Sequence, residues 1–108
     1  MKQMSATQLD GFLQENGQEA ILIDVREAHE LANGMLENAQ HMPMNSIPAH
    51  IDELETVKDG PIVLICRSGQ RSAQVGQYLE QLGFSDVINL EGGMNAWAAQ
   101  IDTSMKVY

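Results

Sequence analysis

At 108 residues, with 44% apolar content and no shift in composition along its length, the chain is sized for a single domain spanning residues 1–108 around one core. Its formal net charge of −9, with only six basic residues, excludes the clustered lysine and arginine that nucleic acid or an anionic membrane surface requires. No run of about eighteen apolar residues occurs, and residues 1–20 hold no signal-peptide core, so the expected location is cytoplasmic.

Residues 2–5 read as a short edge strand, followed by a helix over residues 6–14 that turns Leu9, Phe12 and Leu13 inward and closes at Gly17. Residues 20–25 are a buried strand with Asp24 near its carboxyl end, close to the mouth of any site there. Residues 28–32 make a short helix stopped by Asn33-Gly34, and residues 38–42 a brief strand that ends at Pro43. Further on, Ile47, Ile51, Leu54 and Val57 form a helical stripe, with Pro48 acceptable in the first turn.

Asp59-Gly60-Pro61 turns the chain into Ile62-Val63-Leu64-Ile65, an apolar, β-branched run long enough for a strand and too short for a helix. It stops at Cys66. Ser72 is the expected N-cap of the following helix, whose inward positions are Val75, Tyr78, Leu79 and Leu82, with Gly83 just past its end. Val87–Leu90 is a last strand, Glu91-Gly92-Gly93 a turn, and residues 94–99 a closing helix with Trp97 in the core. Alternating strands and helices imply an α/β fold whose parallel sheet is covered by helices on both faces.

Cys66 is the chain's only cysteine, so it has no internal disulfide partner. It stands at a strand's carboxyl end, ahead of a helix N-terminus, which is where open parallel sheets bind ligands. The loop Arg67-Ser68-Gly69-Gln70-Arg71-Ser72 can aim successive N–H groups at one point, with Gly69 free to take a positive φ. A thiol of pKa about 8.5 is only about 3% thiolate at neutral pH; lowering that pKa by about two takes about 2.7 kcal/mol of anion stabilisation. N–H donors, a helix dipole and the guanidinium groups of Arg67 and Arg71 are together enough for this. The arginines argue against a merely buried, inert cysteine. His29, His41 and His50 share no metal-ligand spacing.

Cys66-Arg67-Ser68-Gly69-Gln70-Arg71-Ser72, with Leu82-Gly83-Phe84, Val87, Leu90-Glu91-Gly92-Gly93 and Trp97, resembles a single-domain rhodanese. Leu22-Ile23-Asp24-Val25-Arg26 is similar to that family's second-strand signature, and Met42-Pro43 to the end of its next strand. The likeness spans nearly the whole chain and implies five strands. It also implies structural roles for Asp24 and Arg26, in which Asp24 accepts loop N–H groups and Arg26 pairs with a carboxylate; the competing reading makes Asp24 a general base. Gly92-Gly93 falls beside the cysteine loop, either to let backbone approach a ligand or simply to make a tight turn. The chain departs from the family where Gly34-Met35-Leu36-Glu37-Asn38-Ala39 stands for the usual Gly-His-Ile-Pro-Gly-Ala.

Three chemistries compete. The resemblance implies a sulfurtransferase, in which Cys66 takes a sulfur atom from a small anionic donor such as thiosulfate and passes it, through a persulfide, to cyanide or a thiol. That reaction requires no metal or cofactor. A cysteine-dependent phosphatase or arsenate reductase is the second, but those families separate cysteine and arginine by five residues and this chain by four. A catalytically silent binding module is the third, and such members commonly lack the cysteine. Relatives using mercaptopyruvate tend to carry an uncharged loop, so Arg67 and Arg71 favour thiosulfate.

Overall fold

In the computed structural model, which describes residues 1–16 and 19–108, the β-branched and apolar segments form a sheet with helices packed on each side. Its strands are β1 (Lys2–Met4), β2 (Ile21–Asp24), β3 (Gln40–His41), β4 (Ile62–Ile65) and β5 (Val87–Leu90). They lie in the order β1-β5-β4-β2-β3, and every pairing is parallel. Because side chains alternate across a strand, β4 sends Ile62 and Leu64 to one face and Val63 and Ile65 to the other. All four are fully buried, which is why the run carries no polar alternation.

The first face is covered by α2 (Ile47–Leu54) and α3 (Gln70–Gln81), which contribute Ile47, Leu54, Val75 and Leu79 to a core shared with Cys66. The second is covered by α1 (Ala6–Asn16) and α4 (Gly93–Gln100), which contribute Leu9, Met94 and Trp97. Phe12 and Leu13 are half-buried against that second core. The expected stop at Gly17 lies outside the described residues.

Several boundaries differ from expectation. The strand around residue 40 is only two residues long, ended by Pro43. The short helix after Arg26 is a 3-10 helix (Ala28–Asn33), and 3-10 turns flank α2 on both sides. Ser72 is not an N-cap: Gly69 takes φ +100 and caps α3 itself, so the helix begins about one turn earlier and Ser72 faces inward from its first turn. Leu82 is not inward either, being 38% exposed just after α3 ends. In the segment that departs from the family pattern, Asn38 holds φ +67 at the place of the usual glycine. Asparagine tolerates that conformation better than most residues, so the turn survives the substitution.

Candidate active site

Cys66 follows directly on β4 and is 1% exposed. From there Arg67, Ser68 and Gly69 make the loop, while Gln70, Arg71 and Ser72 form the first turn of α3. The Gly69 N–H donates to the Cys66 Sγ at 3.1 Å. The Ser72 hydroxyl stands 3.3 Å from the same sulfur and donates to Asn89 Oδ1. Burial alone pushes the thiol pKa up; the Ser72 hydroxyl and the backbone N–H groups of Ser72, Gly69 and Ser68 outweigh it and hold the pKa below the ordinary thiol value. The anion is therefore stabilised chiefly by one hydroxyl and by the main-chain donors expected from sequence; of the two guanidinium groups invoked beside them, that of Arg71 attracts the Cys66 anion at longer range.

Arg71 is committed elsewhere. Its Nη1 and Nη2 donate to the two carboxylate oxygens of Glu30 at 2.7 and 2.8 Å, a bidentate fork. That hydrogen bonding from Arg71, against the opposing effect of burial, holds the Glu30 pKa at about 2. Glu30 also accepts the Glu27 N–H, closing a capping box on its own 3-10 helix, and accepts the Tyr108 hydroxyl at 2.9 Å. Arg67 is exposed, with its guanidinium carbon 5.0 Å from the centre of the Tyr108 ring, within cation–π range. Among the described residues Arg67 has no carboxylate partner.

Asp24 and Arg26 are both fully buried and bind each other. Arg26 Nε and Nη2 donate to the Asp24 carboxylate, its backbone N–H does the same, and its remaining donors reach the carbonyl of Gly34 and the hydroxyl of Tyr108. The Asp24 carboxylate thus accepts from Arg26 and makes no hydrogen bond to the cysteine loop. His41 Nε2 donates to the Arg26 carbonyl at 2.7 Å, which ties β3 to the same corner.

Gly93 lies under the loop. A Cβ on it would come within 2.4 Å of the Arg67 carbonyl and 2.5 Å of the Cys66 oxygen. Its closeness allows the Met94 N–H to donate to the Cys66 carbonyl at 2.8 Å and the Asn95 N–H to the Arg67 carbonyl at 3.1 Å. Gly92 supplies the left-handed N-cap of α4. The pair therefore admits loop backbone, which neither sequence reading of it foresaw. Ser68 and Gln70 are exposed on the rim.

Three residues outside the sequence-derived set complete the site. Asn89 holds Ser72 through Oδ1 and the Gly69 carbonyl through Nδ2. A lone amide inside Val87–Leu90 was the signal for it, since a buried polar side chain must find partners. Glu30 and Tyr108 carried no comparable signal. Among the described residues no cluster of His, Cys, Asp or Glu could hold a metal ion. A cavity of about 780 Å³ lies against α1 and Trp97 on the far face and does not include Cys66. A smaller apolar one of about 280 Å³ is lined by Met44, Ile47 and Tyr78 on the cysteine's face.

A parallel α/β sheet with a cysteine cradled by main-chain donors at its carboxyl edge defines an anion-handling thiol site. The rhodanese-like domain profile matches residues 5–100, and the chain belongs to that family. It is 48% identical over 86 residues to YtwF of Bacillus subtilis, covering 80% of this chain and 81% of that one. A sulfurtransferase of Allochromatium vinosum is 43% identical over 81 residues, covering 75% and 74%. The crystal structure of a rhodanese-like domain protein from Staphylococcus aureus superposes with a TM-score of 0.82 at 34% identity, covering 100% of this chain and 99% of that one.

Proposed function

We propose that the chain is a sulfurtransferase that carries the transferred sulfur on Cys66 as a persulfide. The observation that carries this reading is the cradle itself: a buried sulfur whose pKa is lowered by hydroxyl and N–H donors that can equally hold a second sulfur anion bonded to it. The thiolate attacks the outer sulfur of a donor such as thiosulfate; the donor's S–S bond breaks and sulfite leaves with its electron pair. Cyanide or a thiolate then attacks the outer sulfur of the Cys66 persulfide, forms thiocyanate or a new persulfide, and returns the Cys66 thiolate. Arg67, exposed beside the loop, attracts the donor anion.

The name of the Allochromatium relative supports transfer of sulfur. So does Ser72, which stands where the longer phosphatase loop carries its arginine and offers a neutral hydroxyl instead. A lone free thiol also fits the reducing cytoplasm. Intact mass after incubation with thiosulfate tests the proposal: the wild type gains one sulfur atom and Cys66→Ser, with unchanged circular dichroism, gains none. A wild type that takes up no sulfur would identify a silent binding module.

A further inference from the structure

Around the cysteine, the charges of Asp24, Glu30 and a Cys66 thiolate balance those of Arg26, Arg67 and Arg71, three against three. The site is therefore not the positive spot that its two loop arginines imply when read alone. Arg26 is spent on Asp24, and the fork of Arg71, the geometry that would grip a sulfonate end, is filled by Glu30. Glu30 is held in that fork from three sides, by Arg71, by the Glu27 N–H and by Tyr108. It is nearly buried, so its charge is poorly screened.

Resting on the proposed sulfur transfer, we infer that Glu30 is a positioning residue that sets charge selectivity: by occupying Arg71 it makes the site discriminate against doubly charged sulfur donors in favour of singly charged ones. Coulomb energy is proportional to the donor's charge, so removing the Glu30 charge helps a dianion by the square of the factor by which it helps a monoanion. A gain of about tenfold for thiosulfate therefore goes with about threefold for methanethiosulfonate, CH3SO2S⁻. The latter donates its outer sulfur to Cys66 in the same way and leaves as methanesulfinate.

The experiment compares kcat/KM for the two donors in the wild type, Glu30→Gln, Arg71→Gln and the double variant. The ratio of thiosulfate to methanethiosulfonate should rise about threefold in Glu30→Gln, fall by a similar factor in Arg71→Gln, and return to the wild-type value when both charges are removed. Changes that affect both donors equally, leaving the ratio fixed, would mean that the pair only holds the loop in shape and would overturn the inference. A second arm needs no sulfur transfer: the rate of Cys66 alkylation by iodoacetate relative to neutral iodoacetamide should follow the same order across the four proteins. If that order holds while no sulfur is taken up, the charge selectivity stands and the sulfurtransferase reading falls. If it fails while sulfur is taken up, the reverse is true.

Discussion

Ser72→Ala isolates the hydroxyl that contributes most to lowering the Cys66 pKa. In the wild type its oxygen lies 3.3 Å from the sulfur, and among the effects that lower the thiol pKa its hydrogen bond ranks first. Hydrogen bonds to charged groups are worth about 1.5–3 kcal/mol, so at a pH where the thiol is mostly protonated the thiolate population should fall about ten- to a hundredfold. The N–H groups of Gly69, Ser68 and residue 72 itself remain, so the anion is weakened and not abolished. The assay is the pH dependence of Cys66 alkylation by iodoacetamide, whose midpoint should move to higher pH while the limiting rate above it stays near that of the wild type. The variant should also melt earlier, because Asn89 Oδ1 loses its donor, at a cost of about 1–3 kcal/mol. A lower melting temperature with an unmoved alkylation midpoint would refute the reasoning: the hydroxyl proton would then belong to Asn89 in both states of the thiol.

Two further outcomes are expected. Gly93→Ala should destabilise the fold by at least about 2 kcal/mol, since φ is +60 and the new Cβ would overlap loop backbone at 2.4 Å; an unchanged urea midpoint would show that the cysteine loop yields freely. Glu30, with a folded pKa of about 2 against an ordinary 4.5, adds stability that is fully present above about pH 4.5 and is lost as pH falls toward 2. The acid limb of the wild-type stability curve should therefore be steeper than that of Glu30→Gln; parallel curves would contradict the Arg71 fork.

The parallel sheet was legible because β4 and β5 are runs of buried residues with nothing polar except Asn89, and because each is bounded by turn residues. Cys66 was legible for the same reason: one cysteine at the end of an apolar run, followed by glycine and a helical stripe. What stayed hidden depends on contacts between residues distant in sequence. Ser72 read as a cap because serine favours caps, yet Gly69 took that place as soon as a left-handed φ let the chain turn at once. Arg71 read as free because nothing in its neighbourhood along the chain is acidic, while its partner Glu30 comes from another element 41 residues earlier. Tyr108, which meets Arg26, Glu30 and Arg67 together, follows no periodic pattern at all.

The Ser72 hydroxyl has one proton and two claimants. With Cys66 protonated, the sulfur can donate to Ser72 Oγ while Ser72 donates to Asn89, and all three groups are satisfied. Once the thiol ionises, the hydroxyl proton must turn to the sulfur, and Asn89 Oδ1 is left without its donor in a buried position. Ionisation is thus favoured by the N–H cradle and opposed by the amide behind it. In the persulfide proposed above, the anionic charge would sit on the outer sulfur, one atom beyond Cys66 Sγ. The inner sulfur would then be neutral, and the hydroxyl could return to Asn89. On that proposal the sulfur-loaded anion would be spared the cost that the free thiolate imposes on Asn89, which is the direction needed to take sulfur from a donor.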